Sequence, residues 1–250
     1  MRMSLTHLTV RRGQCPVVDD VTLTVDPGEC VGLIGPNGAG KTSLLRAALG
    51  LLPHAGESSL AGLTPAARAR AAAFVPQGRD IAWPVDVETL VGLGRGPHLA
   101  AGGMTDADRA AVTRALHRMG LEAYRARTAT ALSGGEQARV LIARALAQDT
   151  PLVLADEPVA GLDPEAQIRT MQVFADLAAE GRAVVASIHD LGLAARHCTR
   201  LVLLSRGRVV ADGPPRAVLS AENLSTVFGV RGFHAETPDG PVFQPLEVTR

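Results

Sequence analysis

The stretch Gly35-Pro36-Asn37-Gly38-Ala39-Gly40-Lys41-Thr42 is the part of the sequence most informative about the fold, because it follows the G-x-x-x-x-G-K-[ST] spacing of a phosphate-binding loop. Lys41 is the only lysine in the 250-residue chain, although lysine and arginine together number 25. A thin, flexible ammonium side chain can enter a glycine-walled loop and bridge phosphate oxygens, whereas a planar guanidinium would not fit there. The pattern therefore predicts that residues 35–42 bind phosphate and that Lys41 contacts it.

The residues on either side supply the strand and the helix that such a loop needs. The apolar run Cys30–Ile34 precedes the loop, and residues 42–49 read as a helix. Backbone N–H groups and the positive end of the helix would face the phosphate, and the Thr42 hydroxyl is placed to ligate Mg²⁺. The alternative is a glycine-rich turn that opens a helix without a ligand, and the lone lysine and the flanks argue against it. The predicted binding residues of the loop are Gly35, Pro36, Asn37, Gly38, Ala39, Gly40, Lys41, Thr42 and Ser43.

The composition is typical of a folded chain, and positive and negative charges balance. It is 46% hydrophobic and 20% charged, and its formal net charge is zero. Nucleic acid is not expected as a partner, because binding to a phosphate backbone requires clustered positive charge.

Cysteine usage and hydropathy indicate in which cellular compartment the chain is expected. Cys15, Cys30 and Cys198 are far apart and lack C-x-x-C spacing, which is typical of reduced thiols. The N-terminus has no apolar signal core, and no stretch of ~18 residues is free of charge. We therefore expect a chain that neither crosses a membrane nor is exported, so any membrane-spanning part would belong to another subunit.

The order of the elements predicts an α/β fold. Alternating residues within the first ~30 positions indicate antiparallel strand pairs. A strand near Ser58–Leu60, a helix near Pro65–Ala72 and a strand at Ala73–Val75 are expected next, followed by a helical region over residues 87–147.

From Pro151 onward, strands and helices alternate again, which is typical of a parallel sheet covered by helices. We therefore expect one domain over residues 1–228, in which 1–85 and 149–228 form the core with its β part and 86–148 form a helical insert. Residues 229–250 are a weakly patterned tail that either packs on the sheet or has a regulatory role.

Two adjacent carboxylates follow a buried strand. The apolar run Leu152–Ala155 leads directly into Asp156 and Glu157. The carboxyl end of such a strand is where open α/β sheets bind ligands. We predict that Asp156 holds Mg²⁺ and that Glu157 polarises an attacking water, rather than that both belong to a solvated acidic turn.

The segment Leu132-Ser133-Gly134-Gly135-Glu136 opens another predicted helix. Ser133 and Glu136 have capping-box spacing, which would be a sufficient structural reason for both. Two glycines in the first turn each cost about 1 kcal/mol relative to alanine, so an ordinary cap does not explain them. Glycines there suit close approach of N–H groups to an anion.

These motifs, in this order over residues 3–228, resemble the ATP-binding subunit of an ATP-binding cassette (ABC) transporter. The resemblance implies a P-loop NTPase with a RecA-like core, an N-terminal antiparallel β subdomain and an inserted α-helical subdomain. It also implies ATP and Mg²⁺ as cofactors and a head-to-tail homodimer, in which Ser133, Gly134 and Gly135 contact the nucleotide held by the partner's loop.

The same resemblance implies roles for three single residues. Gln77 matches the glutamine that senses the metal and the γ-phosphate, and His189 matches the histidine that contacts the γ-phosphate. Asp163 matches the D-loop aspartate of the family, and Asp163-Pro164 is also a plain helix N-cap followed by proline, so we expect both roles for Asp163. Lys41, Gln77, Glu157 and His189 are therefore the predicted catalytic set, and Thr42, Gln77 and Asp156 the predicted metal set.

One position departs from the family pattern. An aromatic residue usually stacks on adenine upstream of the loop, but the corresponding stretch here is Val10-Arg11-Arg12-Gly13. Arg12 would either stack its guanidinium plane on the base or remain solvated.

Taken together, the resemblance implies an ATPase that drives transport from the cytoplasmic face of the inner membrane, attached to permease subunits and served by an extracytoplasmic substrate-binding protein. Residues 94–98 and 227–230 resemble segments of importers for iron chelates, haem or vitamin B12. The alternatives are a zinc or manganese importer ATPase and a soluble ABC ATPase without a transport role.

Overall fold

The computed structural model describes residues 1–78, 80–99, 102–238 and 240–249. Its strands are β1 Met3–Arg12, β2 Cys15–Val25, β3 Cys30–Ile34, β4 Ala55–Ser58, β5 Ala72–Val75, β6 Leu152–Asp156, β7 Ala183–Ser187, β8 Arg200–Ser205, β9 Arg208–Gly213, β10 Val230–Thr237 and β11 Gly240–Val248. Its α-helices are α1 Lys41–Ala48, α2 Pro65–Ala71, α3 Val87–Gly92, α4 Asp106–Arg118, α5 Gly134–Ala147, α6 Pro164–Ala179, α7 Leu191–His197, α8 Pro215–Val218 and α9 Ala221–Asn223. Short 3₁₀ segments lie at Leu93–His98, Glu122–Tyr124 and Ala129–Ala131, and a π-helical turn lies at Leu224–Phe228.

A six-stranded sheet in the order β5-β6-β7-β3-β8-β9 forms the centre of the molecule. All neighbouring strands are parallel except the edge pair β8 and β9. The predicted parallel sheet is confirmed, with an antiparallel edge strand that the sequence pattern had not indicated.

Strand alternation gives this sheet two buried faces. In β6, Leu152 and Leu154 pack into the cluster that contains α1 and the N-terminal strands. Val153 and Ala155 point to the opposite cluster, which contains residues of helices α4 to α7. Burial on both faces explains why the central strands read as unbroken apolar runs.

The N-terminal strands form the predicted antiparallel unit, a three-stranded sheet in the order β2-β1-β4. The predicted strand near Ser58–Leu60 is wrong by a few residues, because β4 ends at Ser58. The Ser58 hydroxyl donates to the Ala48 carbonyl and accepts the N–H groups of Leu60 and Ala61, so it holds a turn where a longer strand was expected.

The expected helical region holds α3, α4 and α5. Thr105 caps α4 in a capping box with Asp108, and Gly120 follows the helix with a φ of 63°, which ends it. The longest helix of the described residues, α6, has 16 residues. No helix in the described part of the chain is long and apolar enough to cross a bilayer.

The C-terminal tail is more ordered than its weak pattern suggested. Its residues pair as the antiparallel hairpin β10–β11, which packs against α7. Phe243 is buried beneath the hairpin, and its ring lies 4.8 Å from that of His234. The pattern is weak because one face of the hairpin is exposed and only a few residues anchor the other.

Candidate functional site

The phosphate-binding loop connects β3 to α1, as its flanks predicted. Gly40 has a φ of 104°, and a Cβ there would lie 2.3 Å from the Val17 carbonyl oxygen. Gly38 also has a positive φ, of 78°, but nothing lies within 4 Å of the position of its missing Cβ. The N-cap residue of α1 is Gly40, which has no side chain that could cap the first N–H groups of the helix.

Lys41 points back along the loop and is 6% exposed. Its Nζ donates to the carbonyl oxygens of Gly35 at 2.7 Å and Pro36 at 3.2 Å. Burial lowers the pKa of the Lys41 ammonium, while the nearby charges of Glu157 and Asp156 oppose that shift. The ammonium is therefore held beside the loop by two neutral carbonyl oxygens, which a phosphate anion can replace.

A cleft of about 280 Å³ opens above this loop. Residues 37–43 form one wall, and Arg12, Val17 and Glu157 complete the lining. The structure thus brings both Arg12 and Glu157 to the same cleft as the loop.

Asp156 lies at the end of β6 and is fully buried. Its Oδ1 accepts hydrogen bonds from the hydroxyls of Thr42 at 3.1 Å and Ser187 at 2.9 Å. Its Oδ2 is buried and has no hydrogen-bond partner among the described residues. An unpartnered buried carboxylate oxygen beside a threonine hydroxyl is a donor set that suits a hard divalent cation such as Mg²⁺.

Glu157 occupies the next position with a φ of 51°, a left-handed conformation that is uncommon for a glutamate. Its Oε1 lies 2.6 Å from His189 Nε2, and its Oε2 accepts a hydrogen bond of 2.9 Å from Gln77 Nε2. The structure therefore brings together Gln77, Glu157 and His189, which lie 80 and 32 positions apart in the chain.

Ser187 is a buried polar residue of this site that the sequence analysis missed. It is 0% exposed, and its hydroxyl donates to Asp156 and accepts the backbone N–H of Glu157 at 2.8 Å. The available signal was a serine at the end of an otherwise apolar strand, two positions before His189.

Ser133, Gly134, Gly135 and Asp163 do not line the cleft of their own chain. Ser133 caps α5 in the predicted capping box with Glu136, and Asp163 caps α6 by accepting the Ala166 N–H at 2.9 Å. Both structural roles are thus confirmed, and Ser133 and Gly134 are exposed at the start of α5. Among the described residues, no group of three or more His, Cys, Asp and Glu side chains could hold a metal ion.

The fold and the loop between β3 and α1 define a P-loop nucleotide-binding protein, with an antiparallel β subdomain on a mixed α/β core. Residues 18–160 match the family model described as ABC transporter. The chain therefore belongs to the ABC transporter family, as the motifs had implied.

Relatives support the same family. The chain is 47% identical over 238 residues to the cobalamin import ATP-binding protein of Halobacterium salinarum, covering 92% of this chain and 60% of that protein. It thus spans about 60% of the length of that relative. It is also 41% identical over 254 residues to the hemin import ATP-binding protein of Pseudomonas entomophila, covering 97% of this chain and 98% of that one.

Solved structures give the same fold. The chain superposes on a metal-chelate type ABC transporter in an inward-facing conformation with a TM-score of 0.84, 26% identity and coverage of 98% of this chain and 97% of that one. It also superposes on a dimeric ATP-binding cassette in a post-hydrolysis state with ADP and Pi, with a TM-score of 0.75 and 28% identity, covering 86% of this chain and 99% of that one.

Proposed function

We propose that this chain is the ATP-hydrolysing subunit of an ABC importer for an iron chelate, haem or cobalamin. The observation that carries the proposal is the single cleft in which the phosphate-binding loop faces Glu157, with Gln77 and His189 bonded to that carboxylate. The names of the cobalamin and hemin import relatives support the choice of cargo.

Binding of ATP would rest on the loop. Lys41 and the N–H groups of residues 37–43 would hold the phosphates, and Arg12 would contact the base from the rim of the cleft. Thr42 and Asp156 would hold Mg²⁺, with Gln77 nearby. When bound, this ion neutralises negative charge on the phosphate oxygens.

Hydrolysis would require Glu157 to give up its present hydrogen-bond partners. In this structure both oxygens of Glu157 are already engaged, one by His189 and the other by Gln77. An incoming γ-phosphate would offer both of these residues a stronger anionic partner, which frees Glu157 to orient and polarise the attacking water. Charge stabilisation by Lys41 and His189 and positioning of the water would account for most of the rate.

The site would be completed by a second copy of the chain. Ser133, Gly134 and Gly135 lie outside the cleft of their own chain, so they are available to the nucleotide held by a partner protomer. Asp163 would lie at the same interface. The homodimer would attach to permease subunits at the cytoplasmic face of the membrane and receive cargo from an extracytoplasmic binding protein. Residues 86–148 would act as the helical subdomain that carries Ser133–Gly135, and 229–250 as a C-terminal tail.

The variant Glu157→Gln tests this assignment. It keeps the hydrogen-bonding shape of the side chain but removes the carboxylate, so we expect normal ATP binding, loss of at least about 100-fold in turnover and an ATP-stabilised dimer. Glu165→Gln is the matched control, because Glu165 is on the surface of α6 with a side chain 82% exposed.

Steady-state ATPase assays and size-exclusion chromatography with ATP measure both effects. Turnover by Glu157→Gln at the wild-type rate would refute the role of Glu157. Uptake assays in vesicles that contain the permease, with haem, cobalamin, an iron chelate, zinc or manganese supplied in turn, test the cargo.

A further inference from the structure

Ser187 lies at the point where the two acidic residues of the cleft meet the neighbouring strand. It is the last residue of β7 and the register partner of Asp156 in β6. Side chains of register partners in a parallel sheet leave the same face, so the serine hydroxyl reaches the carboxylate directly. The position is 0% exposed, which excludes bulk water as the partner of either group.

The hydroxyl makes two hydrogen bonds, one to the Asp156 side chain and one to the Glu157 backbone. It donates to Asp156 Oδ1 at 2.9 Å and accepts the Glu157 N–H at 2.8 Å. The first bond, together with that from Thr42, occupies Oδ1 and leaves Oδ2 as the carboxylate oxygen without a hydrogen-bond partner among the described residues. The orientation of the carboxylate is thereby fixed, with a defined oxygen left for a ligand.

The second bond acts on the backbone of Glu157. A non-glycine residue with a φ of 51° is in a sparsely populated conformation that persists only when its surroundings hold it. The Ser187 hydroxyl holds the N–H of this residue, so it sets the direction in which the Glu157 side chain leaves the strand end. No other residue bonds to both the Asp156 side chain and the Glu157 backbone N–H among the hydrogen bonds described for this chain.

We propose that Ser187 is a positioning residue that presents Asp156 Oδ2 to the divalent cation of the nucleotide and aligns Glu157. This inference rests on the proposed function and deepens it, because it makes the Mg²⁺ dependence of nucleotide binding depend on a residue outside the sequence motifs. A hydroxyl suits this small buried position, since the side chain must both donate to a carboxylate and accept from an amide.

The test is the Mg²⁺ dependence of nucleotide binding by Ser187→Ala. Loss of a residue that orients a metal ligand weakens metal affinity by about 10–100-fold. In a Mg²⁺ titration followed by the binding of a fluorescent ATP analogue, the Mg²⁺ concentration that gives half of the maximal effect should therefore rise by about this factor. Binding of the same analogue in EDTA should stay within about twofold of wild type, because the loop contacts are unchanged. At saturating Mg²⁺, kcat should fall about tenfold or more while KM for ATP changes little, because Glu157 has lost its backbone anchor.

Two further variants serve as a structural control and as a conservative replacement. Ser58→Ala is the structural control, because Ser58 is also a buried serine with hydrogen bonds to the backbone, outside the cleft. It should lower the melting temperature without changing the Mg²⁺ response. Ser187→Cys nearly preserves side-chain size with a weaker donor and acceptor, so it should lie between wild type and alanine, and it replaces the alanine variant if that one does not fold.

The outcomes separate this inference from the proposed function. A Ser187→Ala or Ser187→Cys protein with the Mg²⁺ response and kcat of wild type overturns the inference, as does the same loss in Ser58→Ala. If the wild-type chain itself neither binds nor hydrolyses Mg-ATP, the proposed function fails, and the positioning role fails with it.

Discussion

Replacing Gly94 by alanine should loosen the packing of α5, the helix that begins at the exposed Gly134. Gly94 is buried in the 3₁₀ segment Leu93–His98. A Cβ at this position would lie 2.0 Å from the Arg144 carbonyl oxygen, whereas ordinary contact begins near 3.4 Å. The segment and α5 must therefore separate by about 1.4 Å, the difference between these two distances.

The magnitude follows from two effects of this displacement. Overpacking a buried contact costs about 1–3 kcal/mol. The neighbouring Arg95 also donates to the Ala147 carbonyl at 2.8 Å, and a hydrogen bond from a charged group is worth about 1.5–3 kcal/mol. With partial loss of that bond we expect a decrease of about 3 kcal/mol in the free energy of unfolding, or about 6–12 °C in melting temperature for a chain of this size.

Gly96→Ala is the matched control from the same segment. Gly96 is exposed and nothing lies within 4 Å of the position of its missing Cβ. Alanine there should be neutral or stabilise by up to about 1 kcal/mol through the unfolded state. Thermal unfolding followed by circular dichroism compares the two variants, and equal melting temperatures for both would show that a Cβ at Gly94 does not disturb the packing of α5.

Two further outcomes concern the charged groups of the chain. Acetylation by a small amine-reactive reagent should modify the Met1 amino group and Lys41, and Mg-ATP should suppress the modification of Lys41 only. Intact-mass spectra that show equal labelling with and without Mg-ATP would contradict the assigned role of this lysine. Hydrogen bonds from Thr105, foremost, and from Arg95 lower the pKa of Asp108 to about 2, from its ordinary value of 3.8. The charged form is thus favoured in the folded state, so the stability advantage of wild type over Asp108→Asn should be complete above about pH 4 and disappear as the pH falls towards 2; a difference between their urea midpoints that is independent of pH would contradict this.

The sequence pattern predicted much of the local structure around the site. The loop at residues 35–42, the cap of α5 at Ser133 and the cap of α6 at Asp163 each depend on residues within about four positions of one another. Such local signals are readable because the backbone geometry that they satisfy is built from neighbouring residues. The family resemblance, carried by the same motifs, is confirmed by the family match.

Arg95 shows where a pattern was insufficient. In the sequence, residues 94–98 resembled a segment of importers for iron chelates, haem or vitamin B12. In the structure, Arg95 is 8% exposed, bonded to Asp108 and to the last turn of α5. Its position therefore serves the packing of the helical region, a role that depends on Ala147, 52 residues away.

The phosphate-binding loop, the strand-and-helix order and the order of the motifs can be predicted from the chain alone, because each is specified by residue types at short spacing. Tertiary contacts are needed to show that Gln77 and His189 share the carboxylate of Glu157, that Ser187 joins the two acidic residues, and that β10 and β11 pack as a hairpin on α7. These contacts join residues that are distant along the chain. They depend on which strands lie side by side and on which face each side chain leaves, and a local pattern does not contain that information.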